Sequence, residues 1–151
     1  ALPPQVAGTW QARDNDWMIA LDPNGTVASA RIPLGKVWVS PNKTTKVEMK
    51  DGSVSTYQGG DCSVKYDPVK QELFVLIEVS QIDIRYFDEK IQGNSTDRFI
   101  GIVSDDGKKW TADWITQFDY GPRFPQDPNN VFGGTLIFDK VEEEAESATE
   151  N

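Results

Sequence analysis

The sequence predicts an all-β fold, an antiparallel up-and-down barrel of about eight to ten strands, with a β-sandwich as the alternative. Three observations carry this. Apolar residues alternate at period two in short runs, most plainly along residues 97–120, where Asp106-Gly107 separates two alternating arms as a hairpin signal. Turn signals recur every 8–12 residues or so. Roughly ten segments read as strands, and none has the length and 3.6-residue apolar period of a helix.

Taken in order, Pro3-Pro4 stiffens an extended lead-in, and residues 6–12 form a first strand containing Gly8-Thr9-Trp10. Arg13-Asp14-Asn15-Asp16 is a polar turn. Residues 17–21 alternate up to Asp22-Pro23-Asn24-Gly25, where Pro23 presets φ and Asn-Gly suits positive φ. Residues 26–32 make a third strand that Pro33 ends. A short strand at 36–40 holds Trp38. Asp51-Gly52 joins 46–50 to 53–58, Gly59-Gly60 marks a corner or bulge, and 62–66 leads into the Asp67-Pro68 turn. Residues 72–80 are the most apolar strand: both faces read as mostly buried, so Glu78 beside Phe74 and Leu76 needs a partner. The strand continues through 82–87, 88–96 reads as a polar loop, and the 97–120 hairpin follows. Pro122, Pro125 and Pro128 make 121–130 a loop, and Gly133-Gly134 opens a last strand at 135–140.

A chain of 151 residues fits one domain, placed at 1–140, and is large enough to fold without metal or disulfide. The net charge is −9; the segment 141–151 holds five Glu and no Lys or Arg, which leaves −4 on the body. That acidic end reads as a solvated, mobile tail. No basic stripe exists to meet a phosphate backbone, so no nucleic-acid partner is expected. No run is long and apolar enough for a transmembrane helix. There is no His, which removes Ser-His-Asp and Cys-His catalysis and the usual zinc sets. Cys62 is the one cysteine, so no internal disulfide can form, and it reads as a core thiol. The start at Ala1-Leu2-Pro3-Pro4, without Met, and three sequons at Asn24, Asn42 and Asn94 point to a secreted or periplasmic protein.

Gly8-Thr9-Trp10 on the first strand resembles the Gly-X-Trp opening shared by lipocalins and the avidin group, together the calycins. The resemblance implies that the glycine bends the strand and that Trp10 closes one end of an up-and-down barrel. It also implies a basic residue stacked on Trp10, for which Arg98 and Arg123 are the candidates. The lipocalin disulfide is absent, Thr96-Asp97-Arg98-Phe99 is only loosely similar to the second lipocalin motif, and no ligand is carried over.

The second arm of the hairpin puts Trp110, Ala112, Trp114, Thr116, Phe118 and Tyr120 on one face and Thr111, Asp113, Ile115, Gln117 and Asp119 on the other. A barrel of about eight strands can hold one small ligand. The leading reading is therefore a small-molecule binding protein for an apolar or amphipathic ligand, with Trp10, Trp110, Trp114, Phe118 and Tyr120 lining the site and Glu78 as polar anchor. Three readings stand beside it. Exposed aromatics about 6.6–6.8 Å apart along a strand would stack sugar rings, as in a carbohydrate-binding module. Two of Glu78, Asp83, Asp97 and Asp113 at about 5–9.5 Å would make a carboxylate-based enzyme. A solid barrel would be a protein-interaction domain. No catalytic residue is assigned and no cofactor or metal is expected; Asp14-Asn15-Asp16 and Asp105-Asp106 read as turns, lacking the spacing of a calcium loop.

Overall fold

A computed structural model describes residues 1–86, 88–122, 124 and 132–142. Eleven strands and no helix are found there: β1 (Gly8–Ala12), β2 (Met18–Leu21), β3 (Val27–Ile32), β4 (Val37–Val39), β5 (Thr44–Glu48), β6 (Val54–Gly59), β7 (Ser63–Asp67), β8 (Glu72–Tyr86), β9 (Glu89–Val103), β10 (Lys109–Asp119) and β11 (Phe132–Lys140). With no helix among the described residues, none is long and apolar enough to cross a membrane.

Ten strands follow one antiparallel path, β4-β3-β2-β1-β11-β10-β9-β8-β6-β5, and β7 pairs along the first half of β8. Chain neighbours are sheet neighbours except at β4/β5, the two ends of the path, and at β6/β7, which both pair with β8, and β1 meets β11 to join the two ends of the meander. The result is a nearly closed up-and-down barrel. The seam lies between β4 and β5, where the Thr45 hydroxyl donates to the Trp38 carbonyl at 3.2 Å and the Asn42 N–H to the Gly59 carbonyl at 3.1 Å. Closure removes most exposed sheet edge.

Period-two alternation places the core. On β10, Trp110, Ala112 and Thr116 are buried while Thr111, Asp113, Ile115, Gln117 and Asp119 are exposed, the split the alternation predicts. On β8, Leu73, Val75, Ile77 and Val79 face inward. Phe74, Leu76 and Glu78, expected to be mostly buried, are half-exposed instead, because the other face of β8 is the outside of the barrel.

The ends of several elements also differ from expectation. Residues 6–7 belong to a turn, in which the Val6 and Ala7 N–H groups both donate to the Pro3 carbonyl, and β1 begins at Gly8 with φ of 110°, a left-handed conformation that favours glycine. The polar stretch 88–96, expected to be a loop, is the first half of β9, which pairs with β8 as far as Tyr86↔Glu89. It reads as polar because, after Ile91, its inward residues at this end are Gly93, Ser95 and Asp97 rather than further aliphatics. At Gly93 the neighbouring strand passes so close that a Cβ would lie 1.6 Å from the Asp119 carbonyl oxygen. β11 starts at Phe132, and Gly133 and Gly134 pair with Ile115 and Trp114 inside it. Most of the expected loop 121–130, with Arg123, and all but two residues of the acidic tail lie outside the described residues.

One half of the barrel interior is packed solid with rings. Trp10 meets Trp110 edge-on at 6.0 Å, Trp110 stacks on Phe138 at 4.7 Å, Phe138 contacts Phe99 at 5.8 Å, and Phe99 contacts Trp17 at 5.0 Å. All five are buried. The Trp10 indole N–H donates to the Val6 carbonyl at 2.9 Å, and Lys140, its register partner on β11, holds its ammonium 4.5 Å from the Trp10 ring centre. The basic residue over Trp10 is thus Lys140. Arg98 instead points outward and donates to Gln117 at 3.4 Å.

Candidate ligand pocket

The other half of the barrel is only partly filled, by Tyr57, Ile82, Ile84 and Ile91 among others. Where β3 and β10 end and β9 begins, a partly open pocket of about 350 Å³ remains between Trp17, Ile32, Pro33, Leu34, Ile82, Ser95, Asp97, Trp114, Thr116, Phe118 and Tyr120. Each wall follows from the strand alternation. β10 sends in Trp114, Thr116 and Phe118 at every second position, with Tyr120 just beyond its end; β9 sends in Ser95 and Asp97; β8 supplies Ile82. The chain leaving β3 covers one side with Pro33 and Leu34. Trp17, before β2, links the pocket to the ring cluster through its edge contact with Phe99. Its indole N–H is buried and has no hydrogen-bond acceptor among the described residues.

Asp97 is the polar centre of this wall. It is 5% exposed and lies in register between Ile77 on β8 and Thr116 on β10. The Trp114 indole N–H donates to Asp97 Oδ1 at 2.8 Å, and the Thr116 side chain also hydrogen-bonds the carboxylate. Burial pushes its pKa up to about 6, against the partial opposition of these two hydrogen bonds. Burial and, secondarily, the neighbouring Asp97 and Tyr57 push the Tyr120 hydroxyl to about 12, and burial raises Tyr57. At the rim, Phe118 stacks on Tyr120 at 4.5 Å and on Phe132 at 5.8 Å, and Phe132 is half-exposed.

Of the six residues singled out in the sequence, Trp114, Phe118 and Tyr120 come together in the pocket wall. Trp10 and Trp110 lie in the packed half, both fully buried. Glu78 is outside the barrel, on the β8 face turned away from the pocket, where it accepts a hydrogen bond from the Asp61 N–H at 3.2 Å. It cannot anchor a ligand inside, because its strand neighbours Ile77 and Val79 take the inward positions. Among the four carboxylates considered for paired chemistry, Asp97 alone lines the pocket; Asp113 is exposed on the outer face of β10. With Trp110 buried, Trp110 and Trp114 do not form an exposed aromatic row. Cys62 is half-buried, and its thiol is pushed up by burial and by the Glu78 and Asp61 carboxylates, so it lacks thiolate character.

Sequence reasoning missed Trp17, Leu34, Ser95 and Thr116 as pocket residues and placed Asp97 only among generic acids. The usable signal was on β9: a small-and-polar inward series, Gly93-Ser95-Asp97, opposite an aromatic inward series on β10. No protein-family model matches this chain, and no curated protein and no solved structure matches it.

Proposed function

We propose that this protein is a small-molecule binding barrel of calycin type that takes an apolar or amphipathic ligand into the pocket at its open end. The observation that carries the proposal is the division of the barrel interior. Rings fill one half, while the other keeps about 350 Å³ between aromatic and aliphatic walls around one buried carboxylate. Apolar walls give affinity, and a few fixed polar groups orient the ligand. The calycin reading is supported by Gly8-Thr9-Trp10 at the start of β1, by Trp10 at the closed end, and by the Lys140 ammonium over its ring. Export belongs to the same proposal: Asn24, Asn42 and Asn94 are all exposed, as glycan acceptors must be.

Native mass spectrometry against the denatured mass tests the reading. Added mass of small-molecule size that disappears on denaturation, and that is lost in a folded Trp114→Ala variant, is the expected result. Equal uptake by the folded variant and the wild type would overturn it.

A further inference from the structure

We propose, building on the binding function above, that the ligand carries a protonated amine which pairs with Asp97 while its apolar body lies against Trp114, Phe118 and Tyr120. Among the described residues, one charged side chain lines the pocket, and it is an acid. Both groups that hydrogen-bond Asp97, the Trp114 indole and the Thr116 hydroxyl, are neutral. A buried carboxylate without a counter-ion is costly, and an Asn would keep much the same hydrogen bonding without that cost. The charge therefore has a use that the empty fold does not explain.

The surroundings leave that charge for a ligand to meet. From β8, Ile77 and Ile82 face this region; from β10, Trp114 and Thr116; beyond β10, Tyr120; from β6, Tyr57. The titratable members, Tyr120 and Tyr57, are neutral phenols at physiological pH, and burial raises both pKa values further. Arg98, next in sequence, is on the outer face with Gln117. Among the described residues, no lysine or arginine lines the cavity. An anionic ligand such as a fatty acid would bring a second negative charge beside Asp97 with no cation among the described lining residues to offset it. An ammonium meets a carboxylate and aromatic faces, and both attract a cation.

Three probes of nearly equal shape test this: 2-phenylethylamine, 2-phenylethanol and 3-phenylpropanoate. They are titrated calorimetrically into the wild-type protein and into Asp97→Asn. The amine is expected to bind the wild type at least about tenfold more tightly than the alcohol, and the carboxylate most weakly. Amine affinity should rise as pH increases from 5 to 7.5, because Asp97 ionises around 6, while alcohol affinity stays flat. Asp97→Asn should erase the preference for the amine and leave the alcohol bound at least as well. Alcohol binding equal to or tighter than amine binding in the wild type would overturn the amine proposal and leave the pocket reading standing. Failure of all three probes, together with failure of an apolar fluorescent dye to bind, would overturn both.

Discussion

Lys140 holds its ammonium 4.5 Å from the centre of the Trp10 ring and donates to the Gln5 and Ala7 carbonyls at 2.9 and 2.6 Å. One side chain from the last strand thus pins the N-terminal turn across the closed end of the barrel, over the first buried tryptophan. Cation and ring are directly opposite in the β1–β11 register, so the contact exists only once the two ends of the meander have joined.

Replacing Lys140 with Met keeps the aliphatic stem and removes the charge. Two carbonyls lose a charged donor and the Trp10 ring loses its cation, so the expected loss is about 1–3 kcal/mol in urea denaturation. Arg98→Met, on the outer face, should change stability by less than about 0.5 kcal/mol. Equal effects of the two variants would mean that Lys140 does not hold the barrel end.

That contact also marks the reach of sequence reading. The Gly8-Thr9-Trp10 strand, the hairpins and the two faces of β10 are legible because alternation and turn chemistry are local. The partner of Trp10 is not local. It is 130 residues away in sequence, and choosing Lys140 over Arg98 requires the register of β1 on β11. Glu78 misleads for a related reason. An acid among Phe74 and Leu76 looks like an interior anchor when both faces of β8 seem buried, but only closure of the sheet decides which face is inside. The pocket acid is instead Asp97 on β9, at the start of the 97–120 hairpin and just after a stretch polar enough to read as a loop.

Asp97 should make the unliganded protein lose stability as pH rises. Its pKa in the fold, about 6, is above the ordinary 3.8, so between those values the folded state holds more protons than the unfolded one. The stabilising contribution is complete below about pH 3.8 and is lost as pH rises through about 6. At about 1.4 kcal/mol per pKa unit, the full span is about 3 kcal/mol. Other carboxylates, such as Asp139 beside Arg13, pull the opposite way, so the readout is the difference between wild type and Asp97→Asn. The Asn variant should gain on the wild type as pH rises from 4 to 7. A constant difference across that range would show that Asp97 does not titrate near 6 in the fold.

Gly93 tests the tight approach of β9 to the end of β10 beside the pocket. A methyl group there would point at the Asp119 carbonyl oxygen from 1.6 Å, and backbone rather than a flexible side chain would have to move. Gly93→Ala is expected to cost about 3 kcal/mol or more, the upper end of overpacking effects. Gly52→Ala is a poor control despite having nothing near its Cβ, because its φ of 88° strains any alanine. Ser95→Ala, two residues along the same strand and face, is the better one. It should cost far less than Gly93→Ala in thermal unfolding. Similar melting temperatures for the two variants would mean that the strands are not held at this distance.

Trp110 and Trp114 stand four residues apart on one face of β10, yet the two halves of the barrel give them different work. Trp110 is fully buried between Trp10, Phe99 and Phe138, and its indole N–H donates to the Gly101 carbonyl at 3.2 Å. Truncation to Ala would open a cavity in the packed half and cost about 3–5 kcal/mol. Trp114 is only partly buried, faces space that is already empty, and supplies one hydrogen bond to Asp97. Its truncation forfeits less packing, so Trp114→Ala should remain folded while losing ligand uptake. Trp114→Phe, which removes the indole donor but keeps a ring over the carboxylate, should raise the Asp97 pKa further above 6, because that hydrogen bond favours the charged form. Carboxyl NMR of Asp97 in the variant reads this directly. A pKa unchanged or lowered there would mean that the indole does not hold the ionised carboxylate, whatever happens to binding.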